Sequence, residues 1–198
     1  MNRSICTLGA LAATALFAVS PAAAGGWGFK LMAATTYVAP LSENQQNVGG
    51  VASAVRASNE MGYQFGAEFR TGFIGIAFDY LHARQDIEHA NAGLLGAADF
   101  NPISATLFLH VPTPVIELYV GPTASYVNWG DLDLSTGGTQ KLDAKYGYGI
   151  SVGGDLAIAR AVAVVGGLRW LKLDAEPKGG STIAVDPLIS HIGFALRF

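Results

Sequence analysis

Ten ionisable side chains, Lys30, Glu68, Arg70, Asp79, Glu117, Lys145, Asp155, Arg169, His191 and Arg197, fall on the less apolar face of segments that alternate polar and apolar residues. Charges of both signs enclosed together can pair, and an unpaired buried ion is costly. The same set could instead line a polar track for a solute or proton. The pairing reading is preferred, because the lumen of a small closed barrel is polar and must balance its own charge.

Other reactive residue types give less. His82, His89, His110 and His191 lie on different segments without ligand spacing, whereas a zinc site gathers three or four convergent donors; no metal and no cofactor is expected. Ser190 and His191 are neighbours, but consecutive strand residues point to opposite faces and cannot act as nucleophile and base. Ser104 or Ser151 could reach His191 only in a particular register, and no Gly-x-Ser-x-Gly elbow occurs. No catalytic residue is therefore assigned, and a non-enzymatic role is expected. A lipid A-modifying hydrolase is the less favoured alternative.

The elements that would position these groups are strands. Met61, Tyr63, Phe65, Ala67 and Phe69 alternate with Glu60, Gly62, Gln64, Gly66, Glu68 and Arg70, a period of two that marks a strand. Seven further segments read likewise: 27–38, 73–84, 102–110, 115–127, 145–156, 161–173 and 186–198. The last places Leu188, Ile192, Phe194, Leu196 and Phe198 on one face. Short links near Gly72, Pro112–Pro114 and Ala159–Arg160 alternate with long polar links at Pro40–Ser58, Gln85–Asn101, Asn128–Ala144 and Asp174–Val185.

Composition points to a membrane. Hydrophobic residues make up 51% and charged residues only 14%, against roughly 25% charged in soluble domains, yet no later apolar run reaches the length of a spanning helix. Arg3, the run Leu8–Val19 and Ala22-Ala23-Ala24 have the layout of a secretory signal. Residues 1–24 are expected to be that signal and 25–198 a barrel domain. Cleavage removes Cys6, and the loss of Arg3 takes the net charge from −3 to −4. Without a basic cluster there is no footprint for nucleic acid.

In lipid every backbone N–H and C=O must pair within the protein, so spanning strands must close into a barrel. The expected fold is all-β: an eight-stranded antiparallel transmembrane barrel with short periplasmic turns and longer extracellular loops. Alternation alone does not say which face is outside, and a soluble lipocalin-like barrel would invert it. Gly147, Gly149 and Gly153 suit a crowded interior, which places the apolar face toward lipid. Trp27, Phe69, Phe73 and Phe198 would then form a periplasmic aromatic girdle, and Tyr37, Tyr80, Tyr126, Trp129, Tyr146 and Trp170 an outer one.

Several blocks resemble the outer-membrane protein W (OmpW) family across nearly the whole mature chain. They are Lys30-Leu31 to Val38-Ala39-Pro40, Leu118-Tyr119-Val120-Gly121-Pro122 to Tyr126, Gly153-Gly154-Asp155-Leu156, and Asp186-Pro187 to Ile192-Gly193 and Leu196-Arg197-Phe198. The resemblance implies a bacterial outer-membrane, porin-like barrel with a narrow, partly hydrophobic channel, associated with passage of small hydrophobic molecules. Eight strands enclose an interior that side chains fill, so a general diffusion pore is not expected. Expected partners are outer-membrane lipid, lipopolysaccharide and a small hydrophobic ligand. Val48, Val51, Leu94 and Leu95 in the two longest links are candidates for a loop gate. The alternative is a structural or adhesin-type surface barrel without transport.

Overall fold

The computed structural model describes residues 27–42, 44–48, 51–89, 93–111, 116–135, 137–177 and 183–198, with backbone alone for 27, 44–48, 51–56, 89, 93, 95, 140, 175–177 and 183. The proposed signal, residues 1–24, and the link 112–115 lie outside the described residues. Eight long strands carry the fold: β1 (Trp27–Pro40), β2 (Glu60–Thr71), β3 (Ile74–His89), β4 (Gly93–Val111), β5 (Ile116–Trp129), β6 (Lys145–Ala157), β7 (Val162–Lys172) and β8 (Pro187–Arg197). Each pairs antiparallel with the next, and β8 pairs with β1 to close the barrel.

The stagger follows from the register. Stepping sideways from Phe100 through Ala83, Gly62, Thr36, His191, Gly167, Gly153 and Tyr119 returns to β4 at His110, ten residues beyond the starting point. Eight strands with a shear of ten must tilt strongly, and they leave an interior of side-chain dimensions. The seam is locked by the last residue: Phe198 N–H donates to Phe29 O at 2.8 Å and Phe29 N–H to Phe198 O at 3.2 Å.

Side-chain exposure decides which of the two alternating faces is outside. Ile192 (65% exposed), Phe194 (62%) and Phe78 (55%) point outward, while Arg169 (4%) and Asp155 (2%) point in. An aqueous exterior would not leave this continuous apolar surface bare; a hydrocarbon one does. Phe29 stacks near Phe69 and Phe198, at 4.8 and 5.9 Å between centroids, and Tyr126 near Tyr146 at 5.2 Å, forming parts of the two girdles. Trp129 departs from the expected outer girdle. It falls on the inward parity of β5, is buried, and packs on Phe100 at 4.9 Å.

The long links hold more strand than their composition implies. β3 and β4 run on past the apolar zone to His89 and Gly93, with a register shift at Ile87/Glu88, and a hairpin of Asn44–Val48 and Val51–Ala57 pairs onto β3. Short strands Leu132–Leu134, Thr139–Gln140, Leu142–Asp143, Asp174–Pro177 and Ile183–Ala184 lie in the other two links. Here pairing is inherited from strands already aligned in the wall, so it needs no hydrophobic alternation of its own.

The wall's ladder lapses twice, on both sides of β4. Between β3 and β4 pairing skips Leu81–His82 and Asn101–Pro102; between β4 and β5 it skips Leu107–Phe108 and Gly121–Pro122. Proline has no N–H to give a ladder. At the first lapse, Asn101 Oδ1 lies 2.6 Å from His82 Nδ1 and accepts from the Tyr80 hydroxyl at 3.2 Å. At the second the strands stay in contact: a side chain on Gly121 would collide with Leu107 O.

Candidate functional site: the barrel lumen

The lumen is layered. At the periplasmic end six residues from six strands form a closed ring. Lys30 Nζ lies 2.6 Å from Glu68 and 2.9 Å from Asp155; Arg197 lies 3.1 Å from Asp155 and 3.7 Å from Glu117; His110 lies 2.9 Å from Glu68 and 2.8 Å from Glu117. Arg70 joins from outside the ring by contacting Glu117. Both His110 contacts are close, but neither is aligned as a hydrogen bond. Strand alternation delivers each group inward. The cations Lys30, Arg70 and Arg197 thus offset the carboxylates Glu68, Glu117 and Asp155, as burial demands.

Above this ring lies an aromatic layer. Phe108 and Tyr119 pack at 4.7 Å between centroids, and Lys30 Nζ sits 4.9 Å from the Tyr119 ring centre. Gly153 is required here because a Cβ would stand 2.5 Å from the Tyr119 ring. The expectation that glycines relieve interior crowding is met at this residue.

The middle layer centres on Arg169. Its guanidinium donates to both oxygens of Asp79, at 2.7 and 2.6 Å, and also to Ser104 and Ser151 Oγ at 3.0 Å each. Hydroxyls continue the network: Ser104 to Ser125 at 2.8 Å, Thr106 to Thr123 at 2.9 Å and Thr123 to Ser151 at 2.7 Å. Ser104 and Ser151 therefore serve the arginine, and Ser190 lies on the opposite face of β8 from His191. Lys30, Met32, Gly66, Tyr119, Arg169 and His191 are among the residues lining a cavity of about 20 Å³ between the layers, room for about one water molecule.

Over the arginine sits an apolar cap. Val38, Leu81, Ala83, Phe100, Val127, Trp129, Leu171, Leu173, Val185 and Ile189 form one buried cluster. Asp186 fastens its rim. Its carboxylate accepts from Leu173 N–H and Lys172 Nζ at 3.0 Å and from Ser42 Oγ at 2.9 Å, while its carbonyl accepts from Leu41 N–H at 3.4 Å. Partial burial would raise this carboxyl's pKa, but the Leu173 N–H, Lys172 and Ser42 together hold it below its ordinary value. Asp186 has φ of +38°, a conformation that aspartate tolerates better than most residues.

Nine of the ten predicted lumen residues are thus engaged in the floor, the arginine layer or the cavity wall. Lys145 is not brought to them: it begins β6 opposite Val127, at the level of the cap. Of the proposed gate, Leu94 is half exposed and outside the cap; the side chains of Val48, Val51 and Leu95 lie outside the described residues. Sequence reasoning missed the cap, His110 as a ring member, Tyr119 and the hydroxyl network. The signal for the cap was present: Phe100, Val127, Trp129, Leu171 and Ile189 occupy inward parity. Among the described residues no group of three His, Cys, Asp or Glu could hold a metal ion.

No protein-family model and no curated sequence matches the chain. Solved structures do. OprG from Pseudomonas aeruginosa aligns with a TM-score of 0.77 at 15% identity, covering 90% of this chain and 99% of that one. The outer membrane protein AlkL in lipid bilayers aligns at 0.69 and 17%, covering 92% and 95%, and outer membrane protein W of E. coli at 0.55 and 18%, covering 88% and 98%. With its apolar exterior and closed eight-stranded wall, this chain has the fold of the bacterial outer-membrane β-barrels of the OmpW, OprG and AlkL type.

Proposed function

We propose that this barrel binds small hydrophobic molecules at its outer mouth and passes them inward, as an OmpW-like outer-membrane protein. The observation that carries the reading is the apolar cap over an interior of paired ions. A barrel that served only as a scaffold could fill its mouth with polar side chains and water; an apolar mouth favours solutes that leave water readily. Among the described residues, the gap between the ion ring and the Arg169 layer is water-sized, so onward passage needs a route other than a straight pore. The lapse in the wall at Gly121–Pro122 supports a sideways route into the bilayer, since Phe108 beside it also lines the cavity.

Uptake of an apolar solute into vesicles carrying the protein, together with planar-bilayer conductance, tests this reading. Accelerated uptake with little ion conductance is expected. A barrel that shows neither uptake nor conductance would favour the structural or adhesin reading, which the strand extensions beyond the apolar zone support.

A further inference from the structure

We infer that the ligand of this lumen carries a neutral hydrogen-bonding head, as an alcohol does, and that Thr36 and Gln64 receive it beneath the apolar cap; this rests on the passage reading above. Thr36 and Gln64 are each 1% exposed, yet the Thr36 hydroxyl and both the oxygen and nitrogen of the Gln64 amide have no hydrogen-bond partner. The two are diagonal neighbours on β1 and β2: Thr36 pairs with Gly62, and Gln64 with Ala34. On its other side Gln64 faces Leu81, a member of the cap. Three orphaned polar atoms thus lie on adjacent strands where the apolar cap ends.

An unpaired buried polar group carries its full desolvation penalty, so these atoms favour an occupant that satisfies them. The chemistry on offer is specific. An amide and a hydroxyl supply donors and an acceptor but no charge, which matches a hydroxyl or carbonyl head. Arg169, the cation of the layer below, is already committed to both oxygens of Asp79, so a carboxylate head would gain no free partner there. The cap, with Leu171, Ile189 and Trp129, would hold the alkyl portion.

The test uses the full barrel in lipid nanodiscs, with Trp27 and Trp170 replaced by Phe so that Trp129 in the cap reports occupancy. It is titrated with 1-octanol, octanoate and n-octane, each corrected for partition into empty nanodiscs. 1-Octanol is expected to bind about tenfold or more tightly than n-octane, because a site that hydrogen-bonds a hydroxyl discriminates against analogues lacking it; octanoate should also bind more weakly. Gln64→Leu should abolish the preference while leaving thermal stability unchanged or raised, and Thr36→Val should reduce it. Equal binding of octanol and octane, or a preference that survives Gln64→Leu, would overturn the assignment and leave the passage reading intact, with Thr36 and Gln64 satisfied by water only. Binding of none of the three probes would overturn both.

Discussion

Arg169 and Asp79 join opposite walls of the barrel: the guanidinium on β7 meets the carboxylate on β3, four strands away in either direction, through two hydrogen bonds of 2.7 and 2.6 Å. The pair acts as a cross-brace between the ionic floor and the apolar cap. Asp79→Ala should destabilise the barrel by about 3–5 kcal/mol, since it strands a buried cation. Replacing both, as Asp79→Leu with Arg169→Met, should recover most of that loss. Denaturant unfolding in micelles measures both; equal losses in the single and double variants would refute a paired brace.

The cap should behave as a barrier as well as a core. Leu171 is fully buried in it, and Leu171→Ala should cost about 2–5 kcal/mol through lost burial and the cavity left behind. The same change should speed uptake of an apolar solute by opening the mouth. Slower or unchanged uptake would show that the cap does not limit passage.

Pro122 offers a test of the wall. Pro122→Ala restores an N–H opposite the lapsed stretch of β4, and a new ladder bond is worth about 1 kcal/mol. Amide exchange at Leu107 should slow, and uptake should fall. Faster uptake would exclude a sideways route at this lapse.

Asp186 should hold the rim of the cap across nearly the whole accessible pH range. Because its carboxyl is held below its ordinary value, its contribution is complete above the usual carboxylate range and is lost as pH falls through the lowered value. The Leu173 amide signal, read by NMR, should move with that same acidic midpoint. Asp186→Asn removes the charge facing exposed Lys172 and should cost no more than about 1 kcal/mol. Asp186→Ala should cost more, since it also loses the acceptor for Leu173 N–H and places alanine at positive φ.

Strand number, closure and the assignment of faces were legible because each follows from a local rule. The clearest case is Glu60–Arg70, where alternation puts Phe65 and Glu68 on opposite faces, the crowding-prone glycines mark the inner one, and lipid leaves no option but a closed wall. The ten lumen candidates came from the same parity, and nine of them share the polar interior. Parity says only in or out, however. It does not say that Glu117, on β5, meets His110 on one side and Arg197 on the other, because that depends on a shear of ten that no single strand encodes.

The sequence by itself determined that this chain spans a membrane with strands and encloses its charges, since both rest on period-two patterning and on the cost of an unpaired backbone in lipid. Only the tertiary structure decided how the lumen is divided. Phe100, Trp129, Leu171 and Ile189 come from four different strands, and only the stagger between those strands brings them to one height over Arg169. A cap and a floor are properties of that stagger, and the depth of a side chain in a tilted barrel is set by its neighbours' register as much as by its own position in the chain.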